Sequence, residues 1–246
     1  MGKEGALTDV PTRSQSDFLL SQLSMLTSLV TFLPVLLTRL LFEVSALIDR
    51  PLSASIRAYP LGGFIVYVAC VWLVDGVGWA YLRRKGATWR DLGFTNFHLQ
   101  DMGWAVLTAL VGMFVVFPMS QAVAGWLGLP AIQGIRYHLE SPADLLIAIS
   151  ICALIGPLGE EILYRGFLLG LLWAKLGRAW LAGLLATGIF AIVHVPGFGM
   201  AGALFILLWT PLVVILFVWR RSIYPPYVVH VLNNAFAYVL VPLLWL

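Results

Sequence analysis

The sequence predicts an all-α fold, a polytopic membrane bundle of about seven transmembrane helices. Three observations predict it. Of 246 residues, 61% are apolar and only 11% charged, with a mean hydropathy of +0.92, whereas a soluble domain carries about a quarter charged residues to wet its surface. Apolar stretches of spanning length recur along the chain, and in hydrocarbon such stretches must be helical because unsatisfied backbone groups find no partner there. The basic residues lie between these stretches and sort to one side.

The segments run roughly 19–42, 62–82, 102–127, 143–174, 180–195, 201–219 and 227–245. The fourth is too long for one crossing and is expected to emerge as an amphipathic extension stopped by Lys175 and Arg178. The fifth is short and broken by Pro196-Gly197-Phe198-Gly199. Arg220-Arg221 ends the sixth, and Pro225-Pro226 separates it from the seventh. With a cytoplasmic N-terminus, Lys3, Arg13, Arg83, Arg84, Lys85, Arg90, Lys175, Arg178, Arg220 and Arg221 face the cytoplasm. Only Arg39, Arg50, Arg57 and Arg136 face the other side, the imbalance that the positive-inside rule describes. Residues 1–17 read as a polar cytoplasmic segment without a basic-plus-apolar leader, and 18–246 as a single transmembrane domain in the cell (inner) membrane. Met1-Gly2 is no myristoylation start, because Ala6 stands where Ser or Thr is needed. The pI near 9 fits cationic loops on an anionic leaflet rather than nucleic acid. Cys70 and Cys152 each sit in an apolar stretch and read as buried thiols without disulfide or metal spacing.

An ionisable side chain at the bilayer centre costs about 2.5–3.5 kcal/mol on insertion scales, so each one needs a reason. The fourth span holds Glu160, Glu161 and Arg165. Glu161 and Arg165 are i,i+4 in the favourable order and face one another, while Glu160 is rotated by about 100° and free to face a cavity. A structural ion pair accounts for Glu161 and Arg165 but leaves Glu160 unexplained. The fifth span ends Phe190-Ala191-Ile192-Val193-His194, and the seventh begins His230-Val231-Leu232-Asn233-Asn234. His230 and Asn234 share a helix face, and Asn233 is turned away. By helical rise, Glu160 lies about 22 Å from Lys175, His194 about 24 Å from Arg178 and His230 about 13 Å from Arg221. Glu160, His194, His230 and Asn234 are therefore expected to converge, in the cytoplasmic half of the bilayer. Asp75 reads as a polar contact within the bundle, and His98 and His138 as solvated loop residues. Thr88 to Phe94 reads as an interfacial element with Trp89 at the headgroups, and the tryptophans mostly as interface anchors.

A buried glutamate, two histidines and an amide suit hydrolysis. The carboxylate takes a proton from water, and a desolvated carboxylate is a stronger base than one in water. The histidines and Asn234 orient that water and stabilise an oxyanion. The alternative is zinc held by Glu160, His194 and His230 with an open position, although the H-E-x-x-H spacing is absent. Glu160-Glu161-x-x-x-Arg165, Phe190-x-x-x-His194 and His230-x-x-x-Asn234 together resemble the three ordered motifs of the CPBP family. That family holds the type II (glutamate) CAAX prenyl endopeptidases and the bacteriocin-processing or self-immunity (ABI) proteins. The motifs cover about 143–240, the expected catalytic core.

The resemblance implies an intramembrane endopeptidase without a cofactor, in which Glu160 activates water. It places His194, His230 and Asn234 in the pocket, with Glu161 and Arg165 as its support and Phe190 as part of the second motif. Its partners would be the bilayer and a membrane-associated protein or peptide, prenylated in the CAAX case. Two other readings use the same polar residues. A proton-coupled transporter would show inverted halves, and none are visible. A non-catalytic immunity or scaffold protein often loses a motif residue, and none is lost here.

Overall fold

The computed structural model describes residues 20–244 apart from 60, 131 and 133–138. Expectations placed on residues 1–17, Arg136 and His138 lie outside the described residues. Those described contain no strand. The chain forms α1 (Met25–Ile48), a short α2 (Arg50–Ala58), α3 (Gly62–Arg84), α4 (Leu99–Trp126), α5 (Pro142–Leu176), α6 (Ala179–Arg220) and α7 (Tyr224–Leu244). All except α2 are long and apolar enough to cross a membrane. The first span starts later than its hydropathy suggests because Ser24 caps it, its hydroxyl accepting from the Leu26 N–H at 3.2 Å. Glu43 does not end this helix, since Arg57 of α2 pairs with it at 3.6 Å.

α6 is two spans. Its 42 residues would reach about 63 Å as one rod, twice the thickness of a hydrocarbon core. Gly199 breaks it with φ 71° and ψ −176°, a backbone that only glycine adopts without strain. A Cβ added at Gly183 would lie 2.9 Å from Val214 Cγ1. Residues so far apart in sequence touch only if the chain folds back about Gly199. The two arms, 179–198 and 200–220, are each about 30 Å long, enough for one crossing. Among the described residues the bundle then has seven membrane-length helices, as the hydropathy predicts. The fifth span is not short, however, because the helix continues through Pro196 to Phe198 and turns only at Gly199.

α5 is one continuous helix of 35 residues, longer than a single crossing and stopped beside Lys175 as expected. It ends at Gly177, whose left-handed φ of 67° closes the helix. Its turns widen over Ala148–Ile155 and Ile162–Leu169, a distortion frequent at functional sites. Two glycines let neighbours come close. A Cβ at Gly159 would lie 2.8 Å from Val71 Cγ1 of α3, and one at Gly166 would lie 2.8 Å from the Leu92 carbonyl oxygen. Leu92 belongs to the expected interfacial element. That element is a helical turn (Trp89–Leu92) held by a Thr88/Asp91 capping box, with Trp89 stacked on Trp79 at 3.9 Å.

One end of the bundle gathers the loops rich in basic residues. Arg220 reaches Asp101 at the start of α4 at 2.7 Å, and the Ile223 N–H donates to the Gly93 carbonyl at 2.8 Å. Lys175 donates to the Ser21 carbonyl at 2.5 Å. The loops after α3, α5 and α6 thus meet at this end, and α2, the first residues of α3 and the Gly199 turn lie at the other.

Candidate active site

Glu160 and Glu161 sit midway along α5, 2% and 0% exposed. Helix geometry sends them in different directions. Glu161 takes the charge of Arg165 one turn on, Oε1 to Nη1 at 3.0 Å, and the guanidinium lies 4.5 Å from the centre of the Phe190 ring. The same Glu161 Oε1 faces His230 Nδ1 of α7 at 2.8 Å. Glu160 meets both imidazoles, with Oε2 at 3.5 Å from His230 Nε2 and Oε1 at 3.8 Å from His194 Nε2. Four residues on three helices, namely Glu160, Glu161, His194 and His230, therefore share one buried cluster.

Hydrogen-bond chemistry assigns the protons. His194 Nδ1 lies 2.7 Å from the Phe190 carbonyl, which only accepts, so Nδ1 carries the hydrogen and neutral His194 turns a bare Nε2 towards Glu160. The Arg165 charge keeps Glu161 an acceptor, so His230 Nδ1 donates to it and the ring is held with Nε2 aimed at Glu160. Among the described residues, Glu160 Oε1 has no hydrogen-bond partner. A bare carboxylate oxygen and a bare imidazole nitrogen at this separation suit a bridging water.

Asn234 behaves differently from its companions. Its Nδ2 donates to the Cys152 carbonyl of α5 at 2.9 Å, tying α7 to a widened turn. Asn234 is buried, whereas Asn233 is half-buried and reaches only Asn234 Oδ1 at 3.5 Å. Both border a cavity of about 70 Å³ that Glu160, His194 and His230 also line. Asn234→Ala should lower turnover about tenfold or more, since it strands a buried carbonyl as well as removing a pocket amide. Asn233→Ala should stay within about threefold of wild type, because its side chain is less buried and more weakly bonded. Steady-state rates of the two purified variants check this; equal losses would mean that the face assignment is wrong.

The neighbourhood includes residues that sequence reasoning placed elsewhere. Phe190 packs edge-on to His194 at 4.5 Å, to Tyr164 at 4.6 Å and to His230 at 6.3 Å, and so forms the apolar hub of the site. Trp209 is not an interface anchor: it is 2% exposed and 5.3 Å from His230, in space left by Gly112. Tyr67 of α3 lies 6.5 Å from His194, its buried hydroxyl without a hydrogen-bond partner among the described residues. Asp75 does face the bundle interior, where a Cβ at Gly159 would lie 3.4 Å from its Oδ2. His98 is exposed and far from the cluster in the chain's basic end. Phe190 and Trp209 lie about halfway along their arms, so the site sits near mid-depth, about 15 Å from either end. His194 is one turn nearer the Gly199 end.

A second, larger cavity of about 340 Å³ adjoins the first at His194, Phe64, Phe198 and Tyr238 and extends to Arg39 and Arg57.

Fold and site together define a multi-pass membrane protein with a buried Glu–His–His cluster bordering a water-sized cavity. Residues 142–236 match the family described as Type II CAAX prenyl endopeptidase Rce1-like. The chain is also similar to a Bacillus subtilis (strain 168) protein named "Putative membrane peptidase YdiL", at 26% identity over 229 residues, 84% of this chain and 87% of that protein. No solved structure matches the chain. Over residues 142–236 the chain is therefore similar to the family that its three ordered motifs resemble.

Proposed function

We propose that the protein is an intramembrane endopeptidase of the CAAX type that hydrolyses a peptide bond in a membrane-associated or lipid-modified polypeptide, with Glu160 as general base. The observation that carries this reading is the state of Glu160. Its carboxylate is buried, lacks a hydrogen bond at Oε1 among the described residues, faces two imidazole Nε2 atoms and borders a cavity of about 70 Å³. A cavity of that size bordered by Glu160, His194, His230 and Asn234 has both room and partners for a water.

In this reading a water donates one hydrogen to Glu160 Oε1 and the other to His194 Nε2, leaving its lone pair for the substrate carbonyl. Attack forms the new C–O bond while Glu160 takes the proton. Glu160 then returns that proton to the leaving nitrogen as the C–N bond breaks. Glu161 and Arg165 act through His230 by fixing its ring, and Asn234 lies where an amide N–H can reach the tetrahedral oxyanion.

A zinc-assisted route is the second reading, favoured by one observation. Both histidines are anchored through Nδ1 and present Nε2 to the same carboxylate, a common arrangement around bound metal. Glu160, His194 and His230 would hold the ion, which would polarise the carbonyl and acidify a water. Among the described residues no group of three or more His, Cys, Asp or Glu side chains is close enough to hold a metal as it stands. We favour the cofactor-free route because this ligand set is sparse and lacks the H-E-x-x-H spacing.

The test is a comparison of protein termini in membranes containing wild type and Glu160→Gln. New neo-termini in wild-type membranes alone support the reading. Identical termini would leave a non-catalytic member of the fold, and proton-coupled solute uptake without cleavage would favour the transporter. We also propose that the N-terminus is cytoplasmic and the C-terminus on the opposite side of the cell membrane, following the basic loops. A reporter in the loop at 83–95 should read cytoplasmic and one after Leu246 should not; two cytoplasmic readings would overturn this.

A further inference from the structure

The larger cavity holds charge that the proposed chemistry does not use. Arg39 lies fourteen residues into α1, about 21 Å from its start, inside the spanning length rather than at its end. An arginine there is costly unless it serves a pathway or a partner. It lines the cavity, and no ion pair or hydrogen bond to it is found among the described residues. Arg57 lines the same cavity with its guanidinium 4.6 Å from the Phe42 ring, and Glu43 pairs with it at 3.6 Å. Two guanidinium groups against one carboxylate leave a surplus positive charge. The walls between them and the site are apolar: Val35, Phe42, Leu61 and Phe64. At about 340 Å³ the space is of the size that takes a ligand segment.

From the cavity's walls and charge, we infer that it is a substrate subsite in which an apolar polypeptide segment lies between His194 and α1, with a carboxylate of that polypeptide held by Arg39 and Arg57. The carboxylate is either an Asp or Glu side chain or the chain's own C-terminus. The cavity lies at the end away from the basic loops, so the segment approaches from that end. Arg39 and Arg57 are exposed, and guanidinium matches carboxylate with paired donors, a match that selects acid over amide. The inference rests on the endopeptidase reading, which makes the adjoining site the place of cleavage.

The experiment uses full-length protein with fluorescent apolar peptides that differ at one position. One pair carries Glu or Gln, and the other ends in a free carboxylate or an amide. Binding is read by anisotropy on Glu160→Gln protein, and cleavage on wild type. At least one acid peptide should bind about tenfold tighter than its neutral twin, and whichever pair shows the gap identifies the source of the carboxylate. Arg39→Gln should remove the gap, Arg39→Lys should keep part of it, and Arg39→Glu should favour a Lys-bearing peptide instead. Equal binding of acid and neutral peptides, or no binding of any, would overturn the inference. So would loss of the gap on adding phosphatidylglycerol vesicles but not phosphatidylcholine, since the cavity would then hold a lipid headgroup. Cleavage by wild type without charge preference would defeat this inference and leave the endopeptidase reading intact. Charge-selective binding without cleavage would do the reverse.

Discussion

Glu160→Gln should fold normally and lose turnover by about 10²–10⁴-fold, the range credited to general acid–base catalysis. The amide keeps the size of the carboxyl, and nothing structural depends on its charge. Among the described residues Glu160 is ion-paired with no arginine or lysine, and the groups paired with it are two imidazoles at 3.5 and 3.8 Å. Yield and detergent-solubilised melting temperature should therefore stay close to wild type while the rate falls. Strong chelation should leave wild-type activity intact, and purified protein should hold no stoichiometric zinc. One equivalent of zinc, lost together with activity on chelation, would instead make Glu160, His194 and His230 ligands. Full activity in Glu160→Gln would remove the endopeptidase assignment.

Glu161→Gln should damage the protein itself. Its carboxylate neutralises Arg165 at 3.0 Å and anchors His230 at 2.8 Å, with both charged side chains almost fully buried. Breaking a buried pair by removing one partner costs about 3–5 kcal/mol, because the other charge is left uncompensated. Yield and melting temperature should drop along with activity. Glu161→Gln combined with Arg165→Met should recover much of the yield, since it removes the stranded charge, yet stay poorly active because His230 has lost its anchor. The measurements are expression level, thermal melting and rate for each variant. Normal melting in Glu161→Gln alone would show that Arg165 draws its compensation from elsewhere.

The polar cluster was legible because lipid makes it so. A charge inside a spanning helix needs an explanation, and the helical period separates Glu160 from Glu161 and pairs His230 with Asn234. The spacing Phe190 to His194 was equally readable, one turn apart on one face. Trp209 and Tyr67 were not, since an aromatic residue in an apolar span looks the same whether it faces lipid or an imidazole. Their roles depend on which helices become neighbours, and hydropathy carries no information about that. The turn after His194 was visible in Pro196 and the two glycines, but its position was not. Proline can continue within a helix, whereas the positive φ at Gly199 had to come from the structure.

The way the cluster is divided among helices has a consequence for synthesis. Glu160 and Glu161 leave the ribosome well before His194, and His230 belongs to the last helix. Until α7 enters the bundle, the two carboxylates lack the imidazole that touches both. Cys152 likewise waits for Asn234 to satisfy its carbonyl. Before that, the nascent chain has His194 beside Glu160 but lacks the contacts that His230 makes to both carboxylates. Translation order therefore leaves the proposed centre incomplete until the last helix is made.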